Sequence, residues 1–178
     1  MSIAFEYDCI LELTVIDNEL GGFVLTEKHL GVSQLKDYDA VDNEGPSGWS
    51  NRFDVSSWGF LVARSNGQRI GGAVIAFNTS GVELLEGRRD LAVLWDIRVN
   101  KAFRSHGIGA SLFKAAERWA CKRKCKQLKV ETQNINLAAC KFYVRQGCTL
   151  AAVNRLAYPS LPNEIQMFWY KDLVLQDE

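Results

Sequence analysis

Apolar positions recur along this chain in two rhythms, and the switch between them marks its elements. Residues 5–16 alternate loosely through Cys9, Leu11, Leu13 and Val15 and read as a strand. Gly21-Gly22 breaks it, Phe23–Leu25 reads as a short extended piece, and residues 26–30 read as the opening of a short helix. Residues 36–51 are acidic and turn-rich, either a loop beside a binding site or a solvated excursion. Residues 58–63 and 71–77 flank Ser65-Asn66-Gly67-Gln68, and Asn-Gly between two β-rich runs predicts a hairpin. Gly71-Gly72 is expected to mark a bulge there. A turn at 86–89 leads into 91–99, where strict alternation puts Leu91, Val93, Trp95, Ile97 and Val99 on one face. Ala92, Leu94, Asp96 and Arg98 fall on the other, so this strand is expected to have one wall on a core and one facing a site.

From Gly107 to about Lys122 the period becomes helical, through Ile108, Leu112, Ala115, Ala116, Trp119 and Ala120. A strand follows at 128–132, then a helix from Asn136 to Arg145 that Gly147 ends, and strands at 148–153 and 164–170. Residues 154–163, with Pro159 and Pro162, read as an ordered connection between antiparallel partners. Several strands and a hairpin followed by β–helix–β–helix–β–β make an α/β (α+β) fold, helices flanking a mixed and mostly antiparallel sheet.

A chain of 178 residues, 47% apolar and 24% charged, is most simply one globular domain spanning 1–178. No run of 18 apolar residues is present, so no membrane association is expected, and the N-terminus shows no secretory pattern. Five cysteines, an odd number in a chain of this size, fit free thiols and a cytoplasmic setting. Cys121 and Cys125 are four apart, as on one helix face, but only His29 and His106 are available to join them, so no metal is expected. The net charge of 0 argues against a nucleic-acid partner. Its distribution is uneven: residues 1–60 carry 11 acids against 3 bases, and the remainder carries 18 bases against 10 acids. An anionic cofactor on the second part and a cationic substrate approaching the first would use that asymmetry.

The stretch Arg104-Ser105-His106-Gly107-Ile108-Gly109 joins the strand 91–99 to the following helix. A glycine-containing turn at a helix start presents free N–H groups and the positive end of the helix dipole, an anion site, with Arg104 and Lys101 at its edge. It matches neither the P-loop nor the dinucleotide fingerprint. Asp96 reads either as a site residue or as a salt-bridged carboxylate, and Asn136 reads by itself as a helix cap. Lys122, Arg123, Lys124 and Lys126 complement the helix C-terminus, with contact to a ribose phosphate as the second reading.

These residues resemble the GCN5-related N-acetyltransferase (GNAT) superfamily. Its Arg/Gln-x-x-Gly-x-Gly/Ala motif after a strand-ending valine is met by Val99 and Arg104–Gly109, and its Asn…Ala…Phe-Tyr…Gly pattern by Asn136, Ala139, Phe142, Tyr143 and Gly147. Over residues 90–170 the chain is most similar to the streptothricin acetyltransferases, through Trp95-Asp96-Ile97, Glu131-Thr132-Gln133, residues 136–143 and Met167-Phe168-Trp169-Tyr170. Ser105 stands where members often have glycine, which bears on the geometry of the loop. The resemblance implies an acetyl-CoA N-acyltransferase fold, with the co-substrate between two splayed parallel strands at 91–99 and 127–132. It implies that backbone groups of Ile97, Arg98 and Val99 meet the pantetheine, and that Arg104, Ser105, His106, Gly107, Ile108 and Gly109 hold the diphosphate. Asn136, Ala139 and Tyr143 would meet the thiol-side arm. Acceptor amines are protonated near neutrality, so a base is needed; Asp96 stands first and Glu131 second, either as base or as a holder of the cation. The resemblance implies Tyr143 as the proton donor to the leaving thiolate; by itself the residue also reads as an aromatic anchor between helix and sheet. Direct attack is preferred to an acetyl-Cys140 intermediate. The acceptor expected is a cationic amine, streptothricin above all, giving antibiotic resistance. Alternatives are an aminoglycoside, polyamine, amino acid or peptide N-terminus, or a non-catalytic acyl-CoA-binding protein. A homodimer is left open.

Overall fold

The computed structural model describes residues 4–18, 20–41 and 46–174. Part of the acidic segment, Asp42, Asn43, Glu44 and Gly45, lies outside them.

β1 (Phe5–Val15) and β2 (Phe23–Lys36) form a two-stranded antiparallel sheet. The expected helix at 26–30 is absent. Thr26 to His29 continue β2 and pair with Cys9–Glu12, because the ladder with β1, and the packing of Leu11 and Leu25 against the main core, override weak local helix preference. The register jumps between Tyr7↔Gln34 and Cys9↔His29, around Gly31 at φ 75°.

The main sheet has the order β3-β4-β5-β6-β8-β7. Its strands are β3 (Gly59–Ser65), β4 (Gln68–Ala76), β5 (Leu91–Val99), β6 (Gln127–Gln133), β7 (Thr149–Asn154) and β8 (Gln166–Asp172). Only β5 and β6 run parallel, so the mixed, mostly antiparallel sheet expected from the sequence is present. The β3–β4 turn is the expected Asn66-Gly67, with φ 48° and 78° as a type I′ turn requires. The expected bulge falls on Ile70, next to Gly71: Ala63 pairs with Gly71 and Arg64 with Arg69. The acidic segment contributes two single helical turns, α1 (Tyr38–Val41) and α2 (Trp49–Arg52).

α3 (Ile108–Cys121) and α4 (Leu137–Arg145) cover one face of the sheet. Phe113, Leu112, Ala116 and Ala120 there meet Ile75, Leu94, Leu128, Val130 and Met167. α3 lies so close to β3 that a Cβ at Gly59 would fall 2.5 Å from the Trp119 indole. Arg123 stacks on that indole at 3.6 Å, which supports a structural role for the basic helix end. Lys122, Arg123, Lys124 and Lys126 are absent from the cleft described below. Cys125 lies past the end of α3, beyond Lys124 at φ 59°, so Cys121 and Cys125 do not share a helix face. Among the described residues no cluster of three metal-ligating side chains occurs, and no helix is long and apolar enough to cross a membrane.

The opposite face carries a second cluster, Trp58, Ala76, Val82, Leu85 and Val93, with Trp49, Phe53 and Trp95 against it. Here strict alternation along β5 fails. Val74 pairs with Asp96 but Ile75 with Leu94, leaving Trp95 as an extra residue. Ala92 and Leu94 therefore share the helix-covered face with Ile97 and Val99, whereas Val93, Trp95, Asp96 and Arg98 share the other. The expected grouping of Trp95 with Ile97 and Val99 is corrected by this bulge.

Asn134, 2% exposed, ties the two sheets together. Its Nδ2 donates to Leu11 O at 3.0 Å and Asn163 O at 3.4 Å, and its Oδ1 accepts from Ile165 N at 2.8 Å. Asn134→Ala leaves those groups unpaired inside the protein and is expected to lower the unfolding free energy by about 3 kcal/mol, read from the urea midpoint.

Candidate active site

After Val99 the chain makes one tight turn, Lys101–Phe103, capped by Asn100 Oδ1 accepting from Ala102 N at 3.1 Å. It then curls through Ser105 (φ 64°) and Gly107 (φ 75°) into α3. Among the described residues, the amides of Ser105 through Ala110 donate to no protein acceptor, and the first bonded one is Ser111 N to Gly107 O at 2.9 Å. Left-handed residues alternating with ordinary ones aim such amides into one concavity, the geometry of an anion nest, and the α3 dipole adds to it. Ser105 keeps the curl although a side chain there is strained, which gives a physical reason for glycine at that position. Arg104, Ser105, Gly107 and Gly109 line the cleft. His106 instead turns outward, its Nδ1 2.7 Å from Arg104 O, and the Ile108 side chain packs against the main core, so both belong to the loop through their backbones alone.

β5 and β6 pair only at Leu91↔Gln127, Ala92↔Leu128 and Val93↔Lys129, then separate. The gap opens into a cleft of about 800 Å³. Ile97, Arg98 and Val99 line it from β5, Glu131, Thr132 and Gln133 from β6, and Asn136, Ala139 and Tyr143 from the α4 segment. The loop 104–109 closes one end. Unpaired strand edges in the gap suit amide-bearing ligands, and unpaired amides at its end suit a diphosphate, so the residues present fit coenzyme A.

The two candidate carboxylates stand in different company. Asp96 is gripped by its neighbour Arg98, Nε to Oδ1 at 2.8 Å and Nη2 to Oδ2 at 2.5 Å. Arg98 also reaches Asp39 in α1, Nη1 to Oδ2 at 3.2 Å. Arg98 is buried and Asp96 nearly so, at 6% and 12% side-chain exposure. Glu131 accepts a 2.6 Å bond from the Tyr158 hydroxyl, which itself accepts from Gln133 Nε2 at 2.7 Å. Sequence reasoning missed Tyr158, the Arg98 side chain, and the cleft residues Phe5, Tyr38, Asp39, Trp49 and Arg52. A signal for some of them exists in the acidic 36–51 segment, for which a loop beside a binding site is one of two readings: its Tyr38, Asp39 and Trp49 line the cleft.

Asn136 caps α4, its Oδ1 accepting from Ala139 N at 3.1 Å, and also faces the Tyr38 hydroxyl across the cleft. Tyr143 is 5% exposed, and burial above all, with Cys148 and Asp96 nearby, pushes its hydroxyl above the usual phenol range. Its hydroxyl makes no protein hydrogen bond among the described residues, yet no fully enclosed side-chain polar atom there lacks a partner, so it opens on the cleft. Burial likewise pushes the Cys140 thiol up to about 11, and it does not line this cleft. A thiol of that kind is protonated near neutrality and a poor nucleophile. Cys140→Ala is therefore expected to keep turnover within about threefold, with no acetyl adduct on the wild-type cysteine by mass spectrometry.

The Acetyltransferase (GNAT) family profile matches residues 27–148. The chain belongs to the GNAT family. Among relatives of this GNAT chain, Streptothricin acetyltransferase A of Bacillus subtilis (strain 168) is 37% identical over 154 residues, covering 85% of this chain and 81% of that one. A streptothricin acetyltransferase of Escherichia coli is 34% identical over 100 residues, 54% of this chain and 58% of that one. Among solved structures, a Bacillus anthracis str. Ames protein assigned as a streptothricin acetyltransferase, in complex with acetyl coenzyme A, superposes with a TM-score of 0.75. It is 26% identical, with 96% of this chain and 88% of that one covered. Nourseothricin acetyltransferase shares the fold, at TM-score 0.74 and 21% identity over 98% of this chain and 89% of that one.

Proposed function

We propose that this GNAT protein transfers acetyl from acetyl-CoA to an amine of a cationic small molecule, with streptothricin as the acceptor and resistance to that antibiotic as the consequence. One observation carries the reading: the gap between β5 and β6 runs from six unpaired amides at 105–110 to a wall bearing Asp39, Asp96 and Glu131. An anion-gripping end shares one cleft with Glu131, a carboxylate with no basic partner among the described residues, whereas Arg98 engages Asp96 and Asp39. The likeness to a 37% identical streptothricin acetyltransferase supports the choice of acceptor.

Bound acetyl-CoA supplies an activated acetyl thioester. The amides of Ser105–Ala110 hold its diphosphate, and backbone groups of Ile97–Val99 hold the pantetheine. Glu131 draws in the acceptor ammonium and takes its proton, since one of its oxygens meets only Tyr158 and the other has no protein donor among the described residues. Asp96, engaged by Arg98, contributes charge and holds the acceptor wall. Trp49 and Trp95, their rings 6.4 Å apart, give the amine an aromatic surface, which attracts cations. Tyr143 gives its hydroxyl proton to the departing sulfur and recovers one from the acylated nitrogen.

An acetyl-CoA turnover screen over streptothricin, aminoglycosides, spermidine and peptides tests this. Streptothricin is expected to give the highest kcat/KM; a preference for peptides would overturn the small-cation reading.

A further inference from the structure

The connection between β7 and β8 bears Tyr158, whose hydroxyl lies between Gln133 Nε2 at 2.7 Å and Glu131 Oε1 at 2.6 Å. The Gln133 amide nitrogen only donates, so the phenol oxygen accepts from it and has its one proton left for the carboxylate. Burial and the nearby Glu131 charge push the phenol above its usual range, which keeps that proton in place. The connection is itself anchored. Its end is fixed by a buried ion pair, Lys36 Nζ to Glu164 Oε1 at 2.6 Å and Oε2 at 2.9 Å, and by Ile165 N on Asn134 Oδ1 at 2.8 Å. Pro159 and Pro162 restrict the chain between. A half-buried glutamate with three rotatable bonds would otherwise sample several positions in the open gap.

We propose that Tyr158 is a positioning residue for acceptor recognition: with Gln133 behind it, it fixes one oxygen of Glu131 so that the other meets the acceptor's ammonium. The inference rests on the amine-acceptor reading of the cleft, and it adds a residue outside the cleft lining that acts through Glu131.

The probe is streptothricin, or whichever amine of the screen the wild type acetylates. Tyr158→Phe removes one hydrogen bond to a charged group and is expected to raise the acceptor KM roughly tenfold. The KM for acetyl-CoA and the melting temperature stay at wild-type values. Calorimetric binding of the amine to the protein–coenzyme A complex weakens by the same factor. In a Glu131→Gln background, adding Tyr158→Phe is expected to cost less than about twofold, because the two act as one unit. A purely structural role would give the full loss in both backgrounds together with a lower melting temperature, and would overturn the proposal. Gln133→Met keeps the phenol but frees it, and a KM rise of about fivefold is expected; it carries the test if Tyr158→Phe does not fold, and a wild-type KM there would count against the proposal. A wild type that acetylates no amine defeats the reading of the cleft. A wild type that does, beside a Tyr158→Phe variant with unaltered kinetics, defeats the Tyr158 assignment alone.

Discussion

Tyr143→Phe is expected to slow acetyl transfer about a hundredfold while acetyl-CoA affinity stays within about twofold, the size of effect that follows loss of a positioned general acid. The phenol ring is built into the core: it lies 6.1 Å from Phe113 and 5.2 Å from Phe142, centroid to centroid. Phenylalanine preserves those contacts and removes only the oxygen. Because the hydroxyl opens on the cleft with no protein partner among the described residues, its removal orphans no buried group, and the melting temperature should hold. Burial raises the phenol's proton affinity, so it carries its proton throughout the neutral range. A coenzyme A thiolate formed without that donor reverses more readily than it leaves. Equal turnover in the variant and the wild type would remove Tyr143 from the chemistry and return it to the role of aromatic anchor.

What the sequence made legible were the features that rest on local rules. The apolar stripe of α3, the Asn66-Gly67 turn and the Gly107 entry into α3 each follow from neighbours within a few residues. The acceptor wall does not. Arg98 meets Asp39 across 59 residues of chain, Lys36 meets Glu164 across 128, and Tyr158 meets Glu131 across 27. Nothing in local periodicity encodes such meetings. The β2 strand was hidden for the same reason: Thr26–Leu30 carry no strong preference, and the choice is made by β1 and the core beneath it. The bulge at Trp95 is subtler, since one extra residue reverses the faces of everything after it. It brings Trp95 and Asp96 to the same side, so an aromatic surface and a carboxylate both meet the cleft where alternation would have divided them.

Glu131→Gln is expected to lower kcat/KM for the cationic acceptor about a hundredfold at unchanged acetyl-CoA affinity, whereas Asp96→Asn is expected to act first on stability. Sequence alone ranks Asp96 ahead, because strand parity places it on the face opposite Trp95, near the expected splay. Its surroundings argue for the reverse order. Both Asp96 oxygens are held by a guanidinium that is itself 6% exposed, and a carboxylate so engaged has little freedom to turn towards a third group. Neutralising it leaves the buried Arg98 facing Asp39 at 3.2 Å, a carboxylate that is 32% exposed. The cost of breaking a buried pair is about 3–5 kcal/mol, and the surviving Asp39 contact should hold it to about 2 kcal/mol. Turnover by the folded fraction should then fall less than for Glu131→Gln. Glu131 has the opposite balance: glutamine can still accept from Tyr158, so the fold should tolerate it, but it has neither the charge to draw in an ammonium nor the basicity to take its proton. Measuring kcat/KM beside urea midpoints for both variants separates the roles. A hundredfold loss in Asp96→Asn at wild-type stability, with Glu131→Gln active, would exchange them.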